Sequence, residues 1–147
     1  MKNFTKVLFC NIAIILSVIG TSQAAPSDTS CNFVKGVLTN STQAQSTALQ
    51  KLTTHWVPES RQQILKNMNE NVFSKMKFVG GRVFSTLSLA NDLSEHLAIL
   101  RKEKGGIVIF ALHYVWYPGG PRVEALFSIN SAQVASKGST AQVVSCS

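Results

Sequence analysis

The stretch IVIFALHYVWYPGGPRVEALFSI, residues 107–129, decides the architecture of this chain. Residues 107–117 are apolar, branched or aromatic at nearly every position, the composition of a strand buried within a sheet. Pro118-Gly119-Gly120-Pro121 interrupts the run as a turn. Val123, Ala125, Phe127 and Ile129 then alternate along a returning strand. Pro121 has no N–H with which to close a two-residue loop, so the reading is a four-residue loop closed by Tyr117 and Arg122. That register sets Val115 opposite Glu124, His113 opposite Leu126 and Ala111 opposite Ser128.

Register sorts side chains between the two faces of a hairpin. One face gathers Phe110, Leu112, Tyr114 and Trp116 with Val123, Ala125, Phe127 and Ile129, and is expected to be core beneath a long helix. The other carries Tyr117, Arg122, His113 and Glu124. It is apolar enough to bind something and polar enough to face water.

Working outward, Gly80-Gly81 precedes an alternating strand in which Val83, Ser85, Leu87 and Leu89 share one side. Pro58 and Glu59 mark a helix start. Ile64, Leu65, Met68, Val72, Phe73 and Met76 form one apolar stripe, a helix of about 18 residues. Phe33, Val34, Val37 and Leu38 step helically after a polar lead at 25–32. A second set, Ala44, Ala48, Leu49, Leu52 and Trp56, resumes the helical period, with a loop over the charge-free stretch 39–47 as the alternative. Asp92 and Glu95 form a capping pair, Leu93, Leu97 and Leu100 recur at helical spacing, and Lys102, Lys104 and Gly105 suit a helix end. A short helix is therefore expected over 92–104, with a strand as the competing reading. Residues 130–142 read as a loop, and Gln142 to Cys146 as a last short strand. The fold class is α+β, with N-terminal helices packed on a curved antiparallel sheet ending in a β-hairpin.

Residues 1–24 have the form of an export signal: Lys2 and Lys6, an apolar run from Val7 to Gly20, and small residues at Ser22 and Ala24 before a cleavage point at Ala25. The apolar run is shorter than the roughly 20 residues a membrane span needs. The remaining 123 residues, 25–147, make a single domain, exported to a periplasm or the medium. Loss of Lys2 and Lys6 leaves twelve basic residues against seven acidic, a net charge of +5. A moderately basic exported protein meets anionic lipid or anionic polymer more readily than neutral partners, and export argues against nucleic acid. Of three cysteines, Cys10 leaves with the signal. Cys31 and Cys146 are expected to bridge in an oxidising compartment; free thiols or an intermolecular bridge are the alternatives. Two cysteines and scattered histidines make no metal site, and no cofactor motif is present. Asn40-Ser41-Thr42 matches a glycosylation acceptor and is read as chance.

The chemistry rests on few residues. His55 reads as a helix-end residue and His96 as solvated on the 92–104 helix. His113 lies mid-strand with Glu124 diagonal to it, a pairing that could do acid–base work. Arg101, Lys102 and Lys104 cluster around Glu103, with Arg122 added across the sheet end, a patch suited to an anionic headgroup or polymer.

The element order of residues 58–146, and the Tyr-Val-Trp-Tyr-Pro-Gly-Gly-Pro-Arg-Val-Glu hairpin at 114–124, resemble the closing half of a cystatin-like, nuclear-transport-factor-like α+β domain of small exported bacterial proteins. That resemblance implies a curved sheet wrapped on helices, with a pocket or dimer surface on the concave side. The superfold hosts enzymes and binding proteins alike, so it carries no activity. Three classes stay open. The first is an exported non-catalytic binding or interaction protein at an anionic surface or a protein partner. The second is a small hydrolase or isomerase using His113 and Glu124. The third is a homodimer joined through the mixed sheet face.

Overall fold

A computed structural model describes residues 25–89, 92–130, 133 and 141–147. The export signal read at 1–24, Asn91 of the turn before Leu93, and most of the stretch 130–142 lie outside the described residues. Among the described residues are three helices, α1 Pro26–Leu38, α2 Thr42–Leu52 and α3 Pro58–Met68, the last continued by a π-helical turn over Asn69–Phe73. Five strands follow: β1 Phe78–Leu89, β2 Leu93–Lys102, β3 Ile107–Tyr117, β4 Gly120–Ile129 and β5 Gln142–Val144. They form one antiparallel sheet in the order β4-β3-β2-β1-β5, with the helices on one face. The expected α+β class, with helices N-terminal, is what the chain adopts. The last short strand expected from Gln142 to Cys146 is β5, Gln142–Val144, which lies beside β1.

Two helices differ from expectation in extent. α1 begins at Pro26, inside the stretch read as a polar lead, because Pro at the first helical position and Asp28 in the first turn favour a helix start. Ser30, Phe33, Val34 and Val37 recur at helical spacing and bury one stripe against the sheet. α2 begins at Thr42, so much of the charge-free 39–47 stretch is helical. Gly36 makes their close packing possible: a Cβ there would lie 2.5 Å from Cβ of Ala48. Asn40 joins the two helices in left-handed backbone, φ 54°, and its side-chain amide bonds both backbone groups of Phe78, donating to O at 2.9 Å and accepting from N at 2.8 Å. That amide holds the helix pair to the start of β1, so the acceptor triplet is a structural joint.

The segment 92–104 is not a helix. It holds β2, Leu93–Lys102, which lies between β1 and β3 as the central strand, with Ser94 through Ala98 all buried. Leucines at helical spacing also alternate with neighbours that fill the opposite face, and a central strand buried on both sides shows no clean period. Gly105 and Gly106, both at positive φ, close the β2–β3 turn instead of capping a helix.

The β3–β4 hairpin closes differently from expectation. Tyr117 pairs with Gly120, so Pro118 and Gly119 form a two-residue loop, with Gly120 at φ 99°. Pro121 then falls opposite Trp116. The N–H of Trp116 turns the other way, to the carbonyl of Asp92 at 3.1 Å, so this pair exchanges no hydrogen bond and Pro121 forfeits none. A bulge follows: Tyr114 pairs with Val123 but His113 pairs with Ala125, leaving Glu124 as the extra residue. Val123 therefore joins the core with Tyr114, as expected, while Ala125, Phe127 and Ile129 pass to the far face and Leu126 takes their place against the core.

The principal core lies between sheet and helices. Phe33 of α1 meets Phe110 of β3 edge-on at 6.1 Å, among Val37, Leu49, Phe78, Leu100 and Leu112. Cys31 and Cys146 are joined as a disulfide, Cα–Cα 5.4 Å, tying α1 to the residues just beyond β5. No described helix is long and apolar enough to cross a membrane.

Candidate functional site

The end of the sheet at the β2–β3 turn is basic. The turn after α3 and the turn after β2 are held side by side by a hydrogen bond from Glu103 N to Lys77 O, 2.8 Å. Between them lies a cleft of about 530 Å³ that Lys75, Lys77, Lys102 and Lys104 line, with Glu103 as the single acid. Phe73 and Met76 supply apolar lining. Lys75 donates to Oδ1 of Asn71 at 3.0 Å, and none of the four lysines forms an ion pair among the described residues. Such a cleft holds uncompensated positive charge where an anion can enter.

Two members of the expected patch, Lys102 and Lys104, sit in this cleft. Arg101 does not: alternation on β2 sends it to the far face, where it lies opposite Gly80. Arg122 is at the other end of the sheet. It pairs with Val115, eight residues along β3 from the Ile107 that pairs with Arg101, a separation of about 26 Å at strand rise. There its guanidinium stacks over the Tyr117 ring at 4.8 Å. Lys75 and Lys77 were missed in the sequence because they follow the helical stripe and join Lys102 and Lys104 only through the fold.

The carboxylate partner of His113 is also different. Its Nε2 lies 2.5 Å from Oε2 of Glu95 on β2. The other Glu95 oxygen accepts a hydrogen bond from Oγ1 of Thr86 on β1 at 2.6 Å. Three adjacent strands thus contribute one residue each on the far face of the sheet. The His113 side chain is 35% exposed and that of Glu95 8%, so the carboxylate is enclosed and the imidazole reaches solvent. Phe127 packs edge-on against the imidazole at 5.2 Å. Glu124 is the bulge residue beside Ala125, and the carboxylate in contact with His113 is that of Glu95. Glu124 accepts a hydrogen bond from the exposed Tyr117, which pushes that phenol's pKa up. Glu95 could not be paired with His113 while 92–104 was read as a helix.

His96 is buried and not solvated. Strand alternation turns it to the helix side, where its Nδ1 lies 2.9 Å from Oγ of Ser30, and that hydroxyl lies 2.7 Å from Oη of Tyr114. Burial lowers the His96 pKa; burial also raises that of Tyr114, with the Ser30 hydrogen bond acting against it. With His96 neutral and Nδ1 an acceptor, the chain runs Tyr114 to Ser30 to His96, each hydroxyl donating once. Ser30 is fully buried and His96 5% exposed, so this trio joins α1 to the sheet out of reach of solvent.

Among the described residues no group of three or more His, Cys, Asp and Glu is placed to hold a metal ion. Comparison with protein-family models, with curated proteins and with solved structures finds no match for this chain.

Proposed function

We propose that the protein is an exported, non-catalytic binding protein whose lysine cleft engages an anionic surface, a lipid headgroup layer or an anionic polymer. The observation that carries this reading is the convergence of Lys75, Lys77, Lys102 and Lys104 on one cleft with a single acid. Four cations side by side, none with an ion-pair partner among the described residues, raise the local concentration of anions and lose that advantage as salt screens them. The Cys31–Cys146 bridge supports an oxidising destination.

The test is co-sedimentation with vesicles of phosphatidylglycerol in phosphatidylcholine at low salt, beside pull-down on an anionic polymer. The native protein is expected to bind one of them, to release at high salt, and to weaken when Lys102 and Lys104 are replaced by Glu. Absence of binding to either at low salt would end the anionic-surface reading. Exchange of Arg101 for Glu should matter less, because it faces away from the cleft.

A second reading, a small hydrolase or isomerase, draws on the 2.5 Å contact of His113 with Glu95 rather than on Glu124. A carboxylate that orients a partly exposed imidazole is half of a general-base arrangement. The nucleophile and the substrate pocket are what this reading must still find; turnover of an ester panel that survives His113→Gln would dismiss it. The third reading, a homodimer through the far face of the sheet, is decided by solution mass from light scattering.

A further inference from the structure

On the far face of the sheet, at the same end as the lysine cleft but separated from it by the sheet itself, two arginines stand on neighbouring strands. Arg82 of β1 lies opposite Ile99, and Arg101 of β2 lies opposite Gly80. Paired residues share a face, so the arginines occupy diagonal positions on one side, about 7–8 Å apart at the backbone. Between them is a hollow of about 370 Å³ lined by Gly80, Gly81, Arg82, Phe84, Ile99 and Arg101. No acid lines it, and neither guanidinium has an ion-pair partner among the described residues. Arg101 is laid across Gly80: a Cβ on that glycine would meet a guanidinium nitrogen at 3.4 Å. Phe84 and Ile99 pack on the buried Leu97, Ile109 and Ala111, which gives the hollow a firm apolar floor.

We propose that this hollow binds an oxyanion headgroup, a carboxylate or a phosphate monoester, carried on a short apolar body. The chemistry follows from the lining. Two planar guanidinium forks suit a planar or tetrahedral oxyanion better than ammonium groups do, because each can bond two oxygens at once. The Phe84 ring and the Ile99 side chain then cover hydrocarbon that a bare ion does not have. The volume is at the small end for ligand pockets, so the apolar part is a few carbons long. The site differs from the lysine cleft in face, in the kind of cation and in its apolar floor.

The test is titration of the full exported chain with hexanoate and with hexyl phosphate at low salt, followed by calorimetry and by NMR of the Ile99 methyl groups and the Phe84 ring. Hexanol and inorganic phosphate serve as the two half-ligands. One or both amphiphiles are expected to bind saturably and to shift the Ile99 and Phe84 signals, with each half-ligand weaker by about tenfold or more. The comparison of hexanoate with hexyl phosphate identifies the headgroup. Exchange of Arg82 and Arg101 for Met, on exposed positions whose loss leaves the thermal midpoint in place, should weaken binding by about tenfold or more. Exchange of Lys102 and Lys104 for Met should leave it unchanged. The proposal is overturned if the arginine variant binds as tightly as the native chain. It is equally overturned if the shifts fall on the lysine cleft, if inorganic phosphate alone binds as well as hexyl phosphate, or if neither amphiphile saturates at millimolar concentration.

Discussion

Two histidine centres stand back to back through one sheet. Glu95 and His96 are consecutive on β2, and His113 and Tyr114 are consecutive on β3. Strand alternation sends Glu95 and His113 to the far face and His96 and Tyr114 to the helix face. On the helix face α1 lies over the pair and Ser30 completes it, so His96 is enclosed in a chain of neutral hydrogen bonds. On the far face no described helix lies over the pair, so His113 keeps solvent on one side and a carboxylate on the other. The same residue type is structural on one side and chemically available on the other. What separates them is one residue of register and the presence of α1.

The sharpest way to break this contrast is to loosen α1. Cys31 follows Ser30 directly and is bridged to Cys146 across a separation of 115 residues. Exchange of both cysteines for Ser is expected to lower stability by about 2–5 kcal/mol, the usual cost of removing a native bridge from a small disulfide-bonded domain. Urea denaturation measures this. Hydrogen exchange should quicken in α1 and around His96 while β2–β3 pairing at His113 and Glu95 stays protected. Equal loosening of both faces would show that the bridge supports the whole sheet and not the closed centre.

A narrower cut is Ser30→Ala. It leaves Nδ1 of His96 and the Tyr114 hydroxyl buried without their shared partner, at a cost of about 1–3 kcal/mol. Thr86→Val on the far face removes one bond from a Glu95 carboxylate that keeps His113, and should cost less. Thermal unfolding of the two variants side by side reads the difference. If Thr86→Val proves the costlier, the far-face centre is the structural one and the assignment of roles reverses.

How much of this contrast the sequence carried depends on where tertiary contacts override local pattern. The hairpin strands, the α3 stripe, the cysteine pair and the helices-then-sheet order were legible because each shows as a short period or a pair. The lysine pair Lys102 and Lys104 was legible as a cluster, but its completion by Lys75 and Lys77 needed the packing of two turns. β2 was misread because a strand buried on both faces has no alternation, and its leucines fell at helical spacing by coincidence. That misreading hid Glu95 from His113 and placed His96 in water. The bulge at Glu124 was invisible because an extra residue has no signature beyond the parity change it causes, and that change sent Ala125, Phe127 and Ile129 to the face opposite the one expected.

Acidity should also separate the two centres. Burial lowers the His96 pKa in the folded chain from its ordinary 6.5. Between the folded and unfolded values the unfolded chain binds the extra proton, so stability rises with pH there and falls on acidification. The penalty is absent above the unfolded value, grows as pH drops below about 6.5, and levels off below the folded value. Urea midpoints at neutral and mildly acidic pH should therefore differ more for the native protein than for His96→Gln, whose amide does not titrate. An unchanged pH dependence in that variant would mean that the folded chain takes up the His96 proton as readily as the unfolded chain, and the contrast in acidity between the two centres would fall.

The smallest expected effect is the most direct comparison. In a double-mutant cycle, the coupling between two groups is what remains after the separate costs of removing each. For Ser30→Ala with Tyr114→Phe both partners are buried, the hydrogen bond is 2.7 Å and water offers no substitute, so coupling of about 1 kcal/mol or more is expected. For His113→Gln with Glu95→Gln one partner is in contact with water, which replaces much of what the pair provides, so coupling should stay below about 1 kcal/mol. A pair that contributes little to folding yet holds an imidazole in one orientation is free to serve a ligand. Coupling on the far face that exceeds the helix-face value would instead make His113 and Glu95 a structural clasp, and with it the second functional reading would lose the residue it depends on.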